Sequence, residues 1–250
     1  MMDNMDNGKV RYQRQYPLLG AEGQKRLQCA RVLIAGVGGL GTIAATYLAA
    51  AGVGFLRLVD HDRVELSNLN RQILYSSKDI GREKTIVAAE RLESLNPSIG
   101  IEGIQQTFDE QTVEELTQNI DLIVDAFDNF AIRYLINRVA FARRIPLIHG
   151  AVRGFFGQVS TIIPGSTACL QCLVAHSPPQ ESFPIIGGTC GVIGAIQATE
   201  AVKVLSGQGE PLLNRLFFWD GRIGEGTILN TGRNPRCAVC GDDSNVGTAL

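Results

Sequence analysis

Four of the six cysteines stand as two Cys-x-x-Cys pairs, Cys169 with Cys172 in ACLQC and Cys237 with Cys240 in RCAVC. Two residues between thiols is the spacing of a tight knuckle that turns both sulfurs toward one ion. Two knuckles complete a tetrahedral four-sulfur site. The competing reading, two redox-active dithiols, accounts less well for a set that adds up to four ligands. More than sixty residues separate the pairs, longer than in a small autonomous finger. The arrangement reads as a clip tying the chain's end to its middle.

A second constellation lies near the start. Gly36-x-Gly38-x-x-Gly41 follows the apolar run Val32–Ala35 and opens an alanine-rich stretch to about Ala51, and Phe55–Val59 then leads to Asp60. This is a β-turn-α-β pattern of Rossmann type. Its glycines permit a tight turn and let phosphates approach backbone N–H groups at a helix N-terminus. An acid ending the second strand suits ribose hydroxyls. A merely tight turn is the bland alternative, and nicotinamide the default ligand. The segment VDHDRVELSNLNRQ argues for a different nucleotide, because Asp60, Asp62, Asn68 and Arg71 crowd into a dozen residues. Arg71 can pair with phosphate oxygens and Lys84 can add a second charge. Asp128, in DAFDN, can hold Mg²⁺. The set suits a triphosphate with its metal, against a bland reading as a solvated charged loop.

The elements that must position these groups follow from the pattern. Residues 10–30 read as short helices. KTIVAAERLESL reads as a helix stopped by Asn96-Pro97. Ile99–Gln105 reads as a strand, Gln111–Gln118 as a helix and DLIVDAFDN as a strand ending in polar residues. Phe130–Arg143 reads as a helix, PLIHGAV and QVSTIIP as strands. GVIGAIQATEAVKVLSG reads as a helix stopped by Gly207, and LFFWD and GTILN as late strands. The fold class is therefore α/β, a Rossmann-like, doubly wound, mostly parallel sheet with late antiparallel strands and a structural metal site. Residues 1–9 read as a disordered start and 242–250 as a tail. Between them lies one domain, 10–241: N-terminal helices 10–30, a nucleotide-binding half 31–150 and a clip-bearing half 151–241.

Bulk properties narrow the classes. A 250-residue chain with 45% hydrophobic residues has ample core for one large α/β domain, and a net charge of −2 exerts no general pull on nucleic acid or membrane. The polar start MMDNMDNGKVRYQRQ carries no signal-type apolar core, and no run of about 18 apolar residues exists. These point to a cytosolic protein, where paired cysteines are more often metal ligands than structural disulfides.

In order along the chain, RYQRQ (Arg11 to Gln15), GVGGLG, VDHDRVELSNLNRQ, GREKT, DAFDN, CLQC, GVIGAIQATEAVK and RNPRCAVC resemble the MoeB/ThiF/HesA family, bacterial relatives of ubiquitin-activating enzymes. The likeness runs from residue 10 to about 241. It implies an adenylyltransferase that binds ATP with Mg²⁺ and activates the C-terminal Gly-Gly carboxylate of a small ubiquitin-like sulfur carrier, releasing pyrophosphate, with a sulfurtransferase as a further partner. It assigns Asp60 to the ribose and places Gly36, Gly38, Gly39 and Gly41 against the nucleotide. Asn68, Arg71 and Lys84 become the phosphate clamp and Asp128 the Mg²⁺ ligand. Asp62, Ser67 and Asn129 complete the cofactor-binding set. Arg14 resembles an arginine that enters the neighbouring subunit's site, which implies a homodimer. Cys169, Cys172, Cys237 and Cys240 match the family's structural Zn²⁺ site. Catalysis is expected to rest on Arg14, Arg71, Lys84 and Asp128. Two other readings stay open: ATP-dependent activation of a different carboxylate, in tRNA or peptide modification, and a nicotinamide oxidoreductase.

Some relatives carry a carrier-linking cysteine in a Cys-x-x-Ala-Gly context after the first zinc pair. This chain has SFPIIGGTCG there, with Cys190 a few residues later at a helix start that can lower a thiol's pKa. A small buried residue is the other reading of Cys190. Cys29 is expected in packing, and His61, His149 and His176 in solvent or core. Phe155, Phe156 and the loop HSPPQESFP are expected to guide an extended tail.

Overall fold

The computed structural model describes residues 10–174 and 183–242, and the alternation of strands and helices read from the sequence is present in them. Helix α1 (Tyr16–Cys29) is kinked at Gly20, whose φ of 69° lies outside the helical region. Strand β1 (Arg31–Ala35) follows, with Val32 to Ala35 all inaccessible to solvent. Covered on both faces, such a strand reads as an unbroken apolar run rather than an alternating one. Helix α2 (Gly39–Ala51) ends at Gly52 in the left-handed conformation, and β2 (Phe55–Asp60) returns beside β1. Leu48, Leu56 and Leu58 of this unit are fully buried. Truncating any one to alanine costs about 2–5 kcal/mol.

The next elements are α3 (Lys84–Leu95), β3 (Gly100–Gln105), α4 (Val113–Leu116), β4 (Leu122–Asp125) and α5 (Phe130–Arg143). After them come β5 (Leu147–Arg153), β6 (Phe156–Ile162), α6 (Leu170–Leu173), α7 (Gly187–Ser206), β7 (Arg215–Asp220) and β8 (Glu225–Asn230). Helix α4 is shorter than Gln111–Gln118 because side-chain bonds replace helical ones at its start, while at its end the Gln118 N–H donates to the Glu115 carbonyl, three residues back. Asp109 Oδ1 accepts from the N–H groups of Gln111 and Thr112, and the Thr117 hydroxyl donates to the Val113 carbonyl. Helix α7 ends, as expected, at Gly207 with φ 71°.

One eight-stranded sheet orders the strands β3-β2-β1-β4-β5-β6-β7-β8. The first five are parallel and the last three run antiparallel to their neighbours. Successive strands step outward in opposite directions from β1 and β4, so a crevice opens at the carboxyl ends of these two, where ligands bind in open α/β sheets. One core joins α2, α3 and α7 to one face of the sheet. The other lies under α4 and α5. The outermost strand, β8, is exposed along its whole length.

Candidate active site

The crevice is a cavity of about 630 Å³. Its floor is the turn between β1 and α2. Gly36 there has φ 96°, and a Cβ on it would come within 3.0 Å of the Ala126 carbonyl oxygen, so only glycine makes this turn without strain. The turn is tied from two sides. Gly36 N–H donates to the Val59 carbonyl at 2.9 Å, and the Tyr75 hydroxyl donates to the Val37 carbonyl at 2.8 Å. Burial raises the Tyr75 phenol, with Asp60 and Asp62 adding to the shift, so it stays a donor.

Asp60 ends β2, as expected, and is only 5% exposed. Its Oδ2 accepts from the Val37 N–H at 2.8 Å and its Oδ1 from the Asp62 N–H at 2.9 Å. The carboxylate is thereby fixed at the cavity edge. Beyond it, Asn68 closes a turn of 3₁₀ helix (Leu66–Asn68), its Oδ1 accepting from the Glu65 N–H at 3.1 Å. Arg71 Nη1 donates to the Ser67 carbonyl and to Asn70 Oδ1, each at 3.0 Å. Lys84, the first residue of α3, is 4% exposed. Its Nζ donates to Asp62 Oδ2 at 2.7 Å. A buried ammonium needs such a partner, and an anionic oxygen in the cavity can share or replace it.

Asp128 was expected at a strand end. Strand β4 instead stops at Asp125, and Asp128 stands exposed in the loop before α5. Asn129 beside it is the N-cap of α5, its Oδ1 accepting from the Ala131 N–H at 2.8 Å. Such a cap stabilises by about 1 kcal/mol. Both residues line the cavity.

The structure brings Gly36, Gly38, Gly39, Asp60, Asp62, Asn68, Arg71, Lys84, Asp128 and Asn129 around this one cavity. Gly41 and Ser67 are outside its lining. A Cβ on Gly41 would lie 1.9 Å from the Gly36 carbonyl oxygen, so this glycine shapes the turn rather than touching a ligand. Ser67 contributes its carbonyl to Arg71, while its hydroxyl turns to Glu65. Arg14 is exposed and also outside the lining. Its neighbours in RYQRQ are anchored: Arg11 Nη1 donates to the Leu95 carbonyl, Asn96 Nδ2 donates to the Tyr12 hydroxyl, and Gln15 Nε2 donates to the Ala51 carbonyl.

The sequence reading missed Gln72, Arg133 and the apolar residues Ile132, Val152 and Ile185, which line the cavity together with Phe183 of the loop HSPPQESFP that was expected there. Arg133 lies one turn into α5 and its role needs the fold to be seen. Phe155 and Phe156 are not in the wall. Residues 176–182 of the loop expected to work with them, His176 included, lie outside the described residues. His61 is at the cavity rim and half-exposed, and His149 is fully buried.

Cys190 sits in the first turn of α7, fully buried under Gly39 and lining the cavity. The lowering that a helix N-terminus can give is outweighed, and the reading of Cys190 as a small buried residue agrees with its burial. Burial pushes the thiol up to about 11, although the Arg71 charge acts the other way. Cys29, expected in packing, is the last residue of α1 and is exposed.

The clip assembles from both ends of its loop. Sulfur separations are 3.6 Å for Cys169–Cys237, 3.4 Å for Cys172–Cys240 and 4.0 Å for Cys169–Cys172. Four sulfurs at ~2.3 Å from a tetrahedral zinc stand ~3.8 Å apart, so the cluster fits that ion. Backbone N–H groups of Asn234 and Val239 donate to Cys172 and Cys237 sulfurs at 3.4 and 3.5 Å. The Leu170 N–H, between the first two cysteines, donates to buried Asn137 Oδ1 on α5 at 2.9 Å, which locks the knuckle to the domain.

Residues 12–239 match the ThiF family. The chain belongs to that family. The sulfur carrier protein adenylyltransferase of Thermus thermophilus is 42% identical over 246 residues, 93% of this chain and 91% of that protein. The Escherichia coli sulfur carrier protein ThiS adenylyltransferase is 40% identical over 243 residues, 94% of this chain and 96% of that one. Among solved structures, E. coli MccB with AMPCPP and MccA has a TM-score of 0.85 at 27% identity, covering 96% of this chain and 77% of that one.

Proposed function

We propose that this ThiF-family protein adenylates the C-terminal Gly-Gly carboxylate of a small ubiquitin-like sulfur carrier, using ATP. The observation that carries the reading is the single cavity in which a fixed ribose-type carboxylate, Asp60, shares walls with the cations Arg71 and Lys84 and with Asp128. The two relatives that are 42% and 40% identical are both named for adenylyl transfer to sulfur carriers.

Each chain residue has one task in this scheme. The backbone of the glycine turn and Asp60 hold the nucleoside. Asn68, Arg71 and Lys84 take the phosphates, Lys84 exchanging its bond to Asp62 for a phosphate oxygen. An exposed carboxylate such as Asp128, beside phosphate oxygens and water, is the donor set that Mg²⁺ commonly takes, and the ion would spread the charge of the leaving pyrophosphate. The apolar wall of Ile132, Val152 and Ile185 takes the extended tail and keeps water from the reacting carboxylate. A carboxylate oxygen then attacks the α-phosphorus, the bond to the β-phosphate oxygen breaks, and acyl-adenylate and pyrophosphate result. Negative charge gathers on the phosphate oxygens as this happens, so fixed cations lower the barrier.

The assembly is read as a homodimer. Arg11, Tyr12 and Gln15 hold the N-terminal segment down while Arg14 is left exposed and clear of its own cavity. That is the disposition of a residue completing a partner's site. The clip-bearing half, 151–241, with the exposed strand β8, is read as carrier-facing, and zinc at the four cysteines as structural. Residues 10–241 are read as one adenylation domain. None of the described helices is long and apolar enough to cross a membrane, in keeping with a cytoplasmic setting. A separate sulfurtransferase is the natural consumer of the adenylate.

Carrier-dependent exchange of labelled pyrophosphate into ATP tests the proposal. Exchange is expected with a Gly-Gly-ended carrier and not with one truncated by two residues. Absence of exchange with every Gly-Gly carrier tried would remove it. The likeness to MccB, crystallised with MccA, favours a second reading, activation of another carboxylate. Exchange supported by free peptides and not by carriers would establish that one instead.

A further inference from the structure

Three buried side chains beside the cavity form a chain that the proposed reaction does not use. Asp125, the last residue of β4, and His149, the third residue of β5, are fully buried register partners, and Arg133 is 5% exposed on α5. His149 Nδ1 lies 2.8 Å from Asp125 Oδ2, and that oxygen lies 3.8 Å from Arg133 Nε. On the far side of the ring, Gln158 Nε2 lies 3.2 Å from His149 Nε2. An amide nitrogen can only donate, so Nε2 accepts and Nδ1 carries the proton toward Asp125. Burial depresses the imidazole's pKa and keeps it neutral, against the pull of Asp125.

The guanidinium at the end of this chain grips the backbone. Arg133 Nε and Nη2 both donate to the Phe127 carbonyl, and Nη2 donates also to the Gly150 carbonyl at 3.2 Å. The Phe127 carbonyl belongs to the peptide that leads into Asp128. Its orientation therefore sets where the Asp128 carboxylate stands.

A core with no task would not keep this set. Asp125 Oδ1 is buried without a hydrogen-bond partner, and buried ion pairs are often no more stable than well-packed apolar residues. Polar groups retained at such a cost cluster where geometry matters to function. The place fits, since the carboxyl ends of the central strands border the ligand crevice.

We infer that His149 is a positioning residue: acting through Asp125 and Arg133, it fixes the Phe127–Asp128 peptide so that Asp128 can serve the Mg²⁺ of bound ATP. This rests on the reading of Asp128 as the metal-facing carboxylate.

The test measures ATP binding to the full-length protein by titration calorimetry over a range of Mg²⁺ concentrations, without carrier, alongside melting temperature. His149→Phe removes the donor to Asp125. The Mg²⁺ concentration that half-saturates the tightening of ATP binding is expected to rise about tenfold, as for loss of other groups that orient a metal ligand. His149→Asn keeps an N–H near the Nδ1 position and is expected to restore most of the wild-type Mg²⁺ response, even if its melting temperature stays lowered. An unchanged Mg²⁺ response in His149→Phe would overturn the inference, as would equal impairment of the Phe and Asn variants. If His149→Phe does not fold, Arg133→Lys carries the test: it retains the charge but cannot grip one carbonyl twice. The same shift is expected, and an unchanged response overturns the inference. ATP binding by the wild type that ignores Mg²⁺ would overturn the metal reading of Asp128 and this inference together.

Discussion

The Cβ that Gly39 lacks would lie 2.8 Å from the Sγ of Cys190. The first residue of α2 and the first turn of α7 are thus in contact through a missing side chain, and the cavity floor rests on a thiol. Gly39→Ala should weaken ATP binding and stability together. Cys190→Ala alone should be mild. In the double variant the two effects should fall short of additive, because the smaller residue makes the room that alanine needs. Melting temperatures and ATP affinities for the four proteins check this.

Cys190 should behave as a packing residue. With its thiol pushed up to about 11 by burial, almost none is thiolate at pH 8, and the thiolate is the reactive form. Iodoacetamide at pH 8 is expected to label Cys29 first and leave Cys190 intact in the folded protein. Cys190→Ala should keep pyrophosphate exchange within about threefold of wild type. Mass spectrometry of the modified peptides and exchange rates give the result.

Arg71→Ala and Asp128→Asn should each lower carrier-dependent exchange by at least about 100-fold, the order seen when a transition-state charge partner is lost. Among the described residues the Arg71 side chain bonds only to loop acceptors, and Asp128 is exposed. Their melting temperatures should therefore stay close to wild type, which separates lost chemistry from lost fold.

If Arg14 completes a partner's site, Arg14→Ala and Arg71→Ala should complement. Each variant alone is expected to be inactive. Mixed under conditions that exchange subunits, they should regain about a quarter of wild-type exchange, because half of the dimers are mixed and each carries one intact site. No recovery, with heterodimers demonstrated by native mass spectrometry, would return Arg14 to a role in its own chain.

Zinc removal should act on stability before chemistry. Binding free energy at a four-cysteine site enters the folding free energy. A strong chelator is therefore expected to lower the melting temperature markedly and to release one zinc per chain, with exchange lost only as unfolding proceeds. Elemental analysis and calorimetry report both.

The features legible in the sequence are the local ones. Gly36 to Gly41 announces a strand, turn and helix within a few residues. Asp60 closes the second strand as read, and the cysteine knuckles each lie within four residues. Helix α5 runs from Phe130 to Arg143 as read, and Asn129 caps its start. What was missed depends on register. Asp125 meets His149 only because β4 lies beside β5 in one alignment, and Arg133 reaches the Phe127 carbonyl only across a finished helix start. Cys190 is buried, as one of its two readings had it, but the cause was not legible: a helix terminus is visible in sequence, whereas the Gly39 turn that seals the thiol from water comes from a segment some 150 residues away.

The knuckles that meet at the clip close residues 173–236 into a ring, with α7, β7 and β8 inside it. A protease that nicks the backbone within this ring would not by itself part the chain. With zinc held at the four cysteines as proposed, the two pieces would remain joined through four metal–sulfur bonds, migrating as one molecule in native buffer and as two once the ion is withdrawn under denaturing conditions.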